Sequence, residues 1–163
     1  MELNGETLRF IREHCKDDVR SLALQAPKYP GVDMPVALTQ IAGRQAAAEK
    51  IPSWYAEEGI LYPRHLSLEQ CSSEATARYK ASIIPEFSSG TLADLTGGFG
   101  IDCAFLSPKF HHVTYVERQE VLCEIASHNF PLLALNHIRI ENKDAIRHLQ
   151  EMSSARSEEH TSE

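Results

Sequence analysis

The run Thr-Leu-Ala-Asp-Leu-Thr-Gly-Gly-Phe-Gly, residues Thr91–Gly100, limits what this chain can become more than any other stretch. Leu92, Ala93 and Leu95 spell a short buried strand. The glycines after them allow a sharp turn and a close backbone approach to a ligand before Ile101 opens a helix. Strand, glycine turn and helix in that order begin a nucleotide-binding α/β unit. Such a unit expects an acidic residue about 20 positions on, at the end of its second strand, to hold a ribose. Here Val113-Thr114-Tyr115-Val116 runs straight into Glu117, and the pair is more specific than the glycines alone.

Around that start the pattern alternates. A helix is expected from Ile101 to Ser107, a strand from Val113 to Val116, a helix from Glu120 to Leu133, a strand from Ile138 to Glu141 and a helix from Ala145 to Met152. Alternation of this kind predicts a parallel sheet with right-handed crossovers. Upstream the chain reads as helices. Glu6 to Cys15 carries Leu8, Ile11 and Cys15, and a second helix, started by Asp17-Asp18 and carrying Val19, Leu22 and Ala23, is broken by Pro27 and Pro30. A third from Met34 to Lys50 is striped by Leu38, Ile41 and Ala42 and stopped by Pro52, and a fourth runs from Ser73 to Ile84 with Ala77, Ala81 and Ile84 on one face. Trp54, Tyr55, Ile60, Leu61 and Tyr62 read as a packing plug between helices rather than a stacking platform for bases. The polar segment from Pro85 to Gly90 reads as a linker, so the expected domains are 1–87, helical, and 88–155, a partial Rossmann-like domain with strand order 3-2-1.

At 163 residues the chain is too short for a helical domain plus a complete doubly wound one. A net charge of −7 gives no general attraction for nucleic acid, though it leaves room for a local basic patch. With no apolar run near the roughly 20 residues a membrane helix needs, and no basic-then-apolar start, neither a membrane span nor a secretion signal is expected, and a cytoplasmic home follows. Cys15, Cys71, Cys103 and Cys123 form no Cys-x-x-Cys pair and are expected to be reduced, mostly buried and without metal. His111 and His112 point to opposite faces of a strand start and cannot chelate one metal together. Residues Arg156–Glu163 lack any apolar side chain and resemble the in-frame translation of a sequencing-library adapter. They are expected to be a non-native tail, with the natural chain cut near Ala155.

The ligand can be argued from charge. In a dinucleotide fingerprint Gly-x-Gly-x-x-Gly, the third glycine lets helix and strand pack closely. This chain reads Gly98-x-Gly100-x-x-Cys103, and Asp94 stands at the strand end, where a pyrophosphate would be repelled. A ligand with a cationic end fits better, and S-adenosylmethionine offers a matching group to each residue. Asp94 can accept from its ammonium, backbone N–H groups around Gly98 to Ile101 suit its carboxylate, and Glu117 can take both ribose hydroxyls. Asp144 can accept from the adenine amine, and Arg118 or Phe99 can cover faces of the bound molecule. Each also has a plain reading: Asp144 as an N-cap, Arg118 as a solvated charge, Gly97-Gly98 as a mere turn.

The segments Asp94-Leu-Thr96-Gly97-Gly98-Phe99-Gly100-Ile-Asp102, Tyr115-Val-Glu117-Arg118 and Asn142-Lys-Asp144 resemble motifs I, II and III of class I S-adenosylmethionine-dependent methyltransferases. Leu68 to Ala81, with its Glu-Gln-Cys-Ser-Ser-Glu run, resembles the lead-in of a bacterial methyltransferase group with a THUMP-like domain, particularly its Bacteroidetes members. The resemblance implies an N-terminal helical domain, a methyltransferase domain and a C-terminal module suggestive of RNA binding, so RNA is the implied substrate. Motif IV, the Asp-Pro or Asn-Pro-Pro-Tyr loop that holds the methyl acceptor, is absent, and catalytic residues therefore stay unassigned. Thr76, Tyr79 and Lys80 could form a lid over the cofactor's amino-acid end or simply belong to an amphipathic helix. In the usual order 3-2-1-4-5 the first strand is central, so a chain stopping after the third leaves it as an edge. The alternatives are a nucleotide-dependent (NAD(P)) oxidoreductase and a noncatalytic helical binding module.

Overall fold

The computed structural model describes residues 3–85 and 90–159. Helices α1 (Gly5–Glu13), α2 (Val19–Leu24) and α3 (Met34–Lys50) come first, and each starts where a short polar side chain accepts an otherwise orphaned backbone N–H: Asn4 from Thr7, Asp18 from Ser21, Asp33 from Val36. Pro52 does more than stop α3. It occupies the first position of α4 (Pro52–Ala56), where its missing N–H costs nothing. A short helix, α5 (His65–Gln70), has no counterpart in the sequence reading, because six residues are too few for a periodic stripe. α6 (Glu74–Ser82) begins where the Ser73 hydroxyl takes the Thr76 N–H.

The α/β part follows as β1 (Thr91–Asp94), α7 (Ile101–Leu106), β2 (His112–Glu117), α8 (Glu120–Leu132), β3 (Ile138–Asn142) and α9 (Ala145–Glu159). The three strands are parallel in the order β1-β2-β3, with Asp94 beside Tyr115 and Glu117 beside Asn142. This is the expected half of a doubly wound sheet, and among the described residues β1 has no strand on its outer side. α9 runs to Glu159 rather than stopping at Met152, since neither glycine nor proline interrupts it. Residues 160–163 of the expected tail, and 86–89 of the expected linker, lie outside the described residues.

The hydrophobic cores divide well before that linker. Phe10, Leu22, Met34, Ala37 and Ile41 form a small core among the first three helices. The larger core begins with Ala47, Ile51 and Trp54, continues through Ile60 to Tyr62, Leu68 and Ala77, and ends in the sheet region with Phe99, Ile101, Tyr115, Phe130 and Ile138. α3, 17 residues and about 25 Å long, reaches from one core to the other. The Trp54 to Tyr62 cluster is the packing plug the sequence suggested.

The extended segment 60–63 lies between α3 and α8 without a strand neighbour, yet its backbone is satisfied. Gln40 donates to the Tyr62 carbonyl at 2.9 Å and accepts the Tyr62 N–H at 2.8 Å. Asn129 accepts the Leu61 N–H at 2.9 Å and donates to the Leu61 carbonyl at 2.8 Å. Two side-chain amides thus do the work of a neighbouring strand. All four cysteines are free; Cys103 and Cys123 are buried, Cys15 and Cys71 only half-buried. Among the described residues no helix is long and apolar enough to cross a membrane, and no cluster of three or more His, Cys, Asp or Glu side chains could hold a metal ion.

Candidate cofactor site

β1 delivers Asp94 to the carboxyl edge of the sheet, and the chain then folds tightly over β2. The Gly97 N–H donates to the Val116 carbonyl at 2.9 Å, and a Cβ at Gly97 would lie 2.3 Å from the Tyr115 ring. Only a residue without a side chain fits so close to that ring. Gly100, at φ +88°, starts α7 in the left-handed region. The Tyr115 hydroxyl donates to the Gly98 carbonyl at 2.6 Å and pins the turn. Cys103 fills the slot of the absent third glycine, and burial pushes its thiol far above the ordinary range, leaving it an inert packing group.

Glu117 is 8% exposed and holds two turns together. Its Oε2 accepts the Gly98 N–H at 3.0 Å, and its Oε1 accepts the Gln119 N–H at 2.8 Å. Each carboxylate oxygen has a second lone-pair direction, so the bracing role leaves room for hydroxyl donors. Asp94 Oδ1 accepts the Thr96 N–H at 3.2 Å. Burial raises the Asp94 carboxyl above its usual value, and the nearby charges of Asp102 and Glu117 add to the effect while Lys80 and the Thr96 bond oppose it.

These groups line a cleft of about 310 Å³. One wall is the glycine turn with Asp94, Asp102 and Glu117, and the other comes from α5 and the loop after it: Ser67, Gln70, Cys71 and Ser72. The two walls are tied. Asp102 Oδ2 accepts from the Ser72 hydroxyl at 2.8 Å and from the Lys80 ammonium at 2.8 Å, and Lys80 also donates to Ser72 at 3.0 Å. Two other depressions, about 500 Å³ beside Phe105 and Arg78 and about 350 Å³ beside Leu8 and Arg44, lack the glycine turn and its carboxylates.

Of the residues the sequence singled out, Asp94, Thr96, Gly97, Gly98, Phe99, Gly100 and Glu117 line one cleft. The Phe99 side chain corrects its reading: it is 2% exposed and packs edge-on against Trp54 at 5.0 Å, so only its backbone is available to a ligand. Arg118, one residue past the end of β2, is exposed and does not line the cleft. Asp144 is exposed too, and its Oδ1 accepts the Ile146 N–H at 2.9 Å, the capping role of its plain reading. The lid fares differently at each position: Tyr79 is 68% exposed, Thr76 pairs with Ser73, and Lys80 bonds Asp102 rather than covering the cleft. Ser72, Asp102 and Gln119 carry no role in the sequence reading. Ser72 and Asp102 fall inside the segments that bear the family resemblance, but no periodicity brings them together.

Three parallel strands, a glycine turn between an acid-ended β1 and an acid-ended β2, and helices on the preceding segment define a methyltransferase-type, Rossmann-like α/β fold, present as half of the sheet. Among solved structures, the chain is similar to a candidate methyltransferase from Porphyromonas gingivalis W83, with 28% identity and a TM-score of 0.69 over 92% of this chain and 38% of that one. The chain therefore spans well under half the length of that relative. It also has a slighter likeness to a protein-L-isoaspartate O-methyltransferase, with 18% identity and a TM-score of 0.41 over 78% of this chain and 42% of that one. No family model and no curated sequence matches the chain.

Proposed function

We propose that this chain is the N-terminal part of a class I S-adenosylmethionine-dependent methyltransferase, comprising its helical lead-in and the cofactor half of its catalytic domain. The observation that carries the reading is the charge of the cleft. Three carboxylates line it, Asp94, Asp102 and Glu117, and of the cations near its walls Lys80 is paired with Asp102 while Lys50 is bound to the Leu68 and Glu69 carbonyls. A dinucleotide would bring two more negative charges into that space, whereas S-adenosylmethionine carries a sulfonium and an ammonium against one carboxylate. The cavity therefore disfavours the oxidoreductase alternative, and the buried Cys103 in the third-glycine slot disfavours it again.

In this reading Glu117 accepts from the ribose hydroxyls, and backbone N–H groups from Gly98 to Ile101 face the amino-acid carboxylate. α7 is only six residues long, so those N–H groups, more than a helix dipole, would supply the attraction. Bound, the cofactor supplies a methyl carbon already activated by its sulfonium. The residues described here bind and orient it, and acceptor-side groups belong to the later strands that the relative's greater length would accommodate. RNA as acceptor, the THUMP-like module and the adapter-like origin of the tail rest on resemblance alone, and a cytoplasmic location on the sequence pattern.

Equilibrium binding to the complete gene product tests the class. S-adenosylmethionine and S-adenosylhomocysteine should bind and NAD should not. Binding of NAD alone would favour the oxidoreductase, and binding of none the noncatalytic module. Transfer of a labelled methyl group to RNA, protein or small-molecule pools then identifies the acceptor class.

A further inference from the structure

We propose that Gln70, with Ser67 beside it on α5, donates hydrogen bonds to the carboxylate of the cofactor's amino-acid end. The inference rests on the cofactor reading above and gives the helical lead-in a share in recognition. Ser67, Gln70 and Cys71 all line the cleft. Their spacing of three and four residues puts them on one face of α5 and its C-cap, while Leu68, 1% exposed, is sunk in the core. The C-terminal end of α5 is fixed as well, since the Lys50 ammonium donates to the Leu68 and Glu69 carbonyls at 2.8 and 2.7 Å. The Cys71 thiol is spent on the Leu68 carbonyl. Among the described residues, the Gln70 amide and the Ser67 hydroxyl have no hydrogen-bond partner, so both keep their donors for a ligand.

The opposite wall is rich in acceptors and short of donors. It carries the carboxylates of Asp94, Asp102 and Glu117, and the ammonium groups of Lys80 and Lys50 are bound to Asp102 and to the α5 carbonyls. In the glycine turn the Gly98 N–H is taken by Glu117 and the Gly100 N–H by the Gly97 carbonyl, which leaves those of Phe99 and Ile101. A ligand carboxylate in such a cleft needs further donors, and a neutral amide supplies them. Position favours Gln70. Ser72, which donates to Asp102 in the first turn of α7, is two residues from Gln70, a span of at most about 7 Å, so the α5 wall meets the start of α7 where the remaining turn N–H groups lie. The rival amide, Gln119, follows the ribose acid Glu117 and gives it its backbone N–H, which sets Gln119 toward the nucleoside. Thr96 stands beside Asp94, the acid suited to the ammonium.

The complete gene product is titrated with S-adenosylhomocysteine and with 5′-methylthioadenosine, which keeps the adenosine and the thioether but lacks the amino-acid end. Q70A should lower affinity for S-adenosylhomocysteine about ten-fold, the loss expected for a hydrogen bond to a charged group, and leave 5′-methylthioadenosine unchanged. Q70E sets a second carboxylate against the ligand's own and should bind S-adenosylhomocysteine more weakly still. S67A should show the selectivity of Q70A at smaller size, and it carries the test if a Gln70 variant does not fold. A selective loss of about three-fold or more in Q70A, with Q70E weaker again, supports the proposal. A smaller loss, an equal loss for both ligands, or Q70E binding S-adenosylhomocysteine as tightly as the wild type overturns it, the last because it would put the Gln70 oxygen against the ammonium. A wild type that binds 5′-methylthioadenosine but not S-adenosylhomocysteine also overturns it. If only S-adenosylhomocysteine binds, affinity falling in the order wild type, Q70A, Q70E supports it and any other order overturns it. If the wild type binds neither ligand, the cofactor reading itself fails.

Discussion

Glu117 braces two turns with its two oxygens while nearly buried, so changes there should register in stability as well as in binding. Glu117→Gln replaces one acceptor by an amide donor facing a backbone N–H. Thermal melts should show a loss of about 1–3 kcal/mol, together with weaker S-adenosylhomocysteine binding. A variant as stable as wild type would mean the bracing is dispensable. Glu74, also nearly buried, feels burial as an upward pressure, yet the Ser53 N–H at 2.8 Å and the Arg78 guanidinium outweigh it and hold the carboxyl below its ordinary value of 4.5. Its ionised form is therefore favoured by folding. That stabilisation is complete above the ordinary value and is lost as pH falls through the lower folded value. Melting temperature should drop on acidification below about pH 4.5, and Glu74→Gln should be flatter over the same range.

At the scale of elements, segment 60–63 is the joint between the helical region and the sheet, gripped by Gln40 from α3 and Asn129 from α8. Asn129→Ala leaves the Leu61 N–H and carbonyl buried without partners and should cost about 2–4 kcal/mol in denaturant unfolding. Leucine, though close in size, should do no better, which separates lost hydrogen bonds from lost volume. The glycine turn is the second sensitive element. Gly97→Ala drives a methyl group into the Tyr115 ring, 2.3 Å away, and should destabilise by about 1–3 kcal/mol while distorting the cofactor turn. How far these elements could be read from the chain differs with the range of the interaction. α3 matches its expected span because caps and apolar spacing act within a turn or two. α5, the Gln40 and Asn129 grips, and the Ser72–Asp102 tie could not be read, since the bonds that define the grips and the tie link residues 22, 68 and 30 positions apart.

For the whole molecule, the consequence lies at the open side of the sheet. β1 has no outer strand among the described residues, and Ile146, Leu149 and Met152 on α9 are 66%, 49% and 42% exposed. An unpaired strand edge and exposed apolar helix side chains each promote association. The 163-residue chain by itself should therefore self-associate with rising concentration in light scattering; a monodisperse monomer with a cooperative melt would contradict this. The order of helices and strands, the glycine turn and the acids that end β1 and β2 were written in the sequence, because local backbone preference and side-chain alternation act over a few residues. Which of those side chains face the cleft was decided by tertiary structure. Phe99 turned inward because Trp54 offered it an apolar wall, Asp144 was taken by its own helix, and Asp102 was drawn to the cleft by a serine and a lysine that only the folded chain brings beside it.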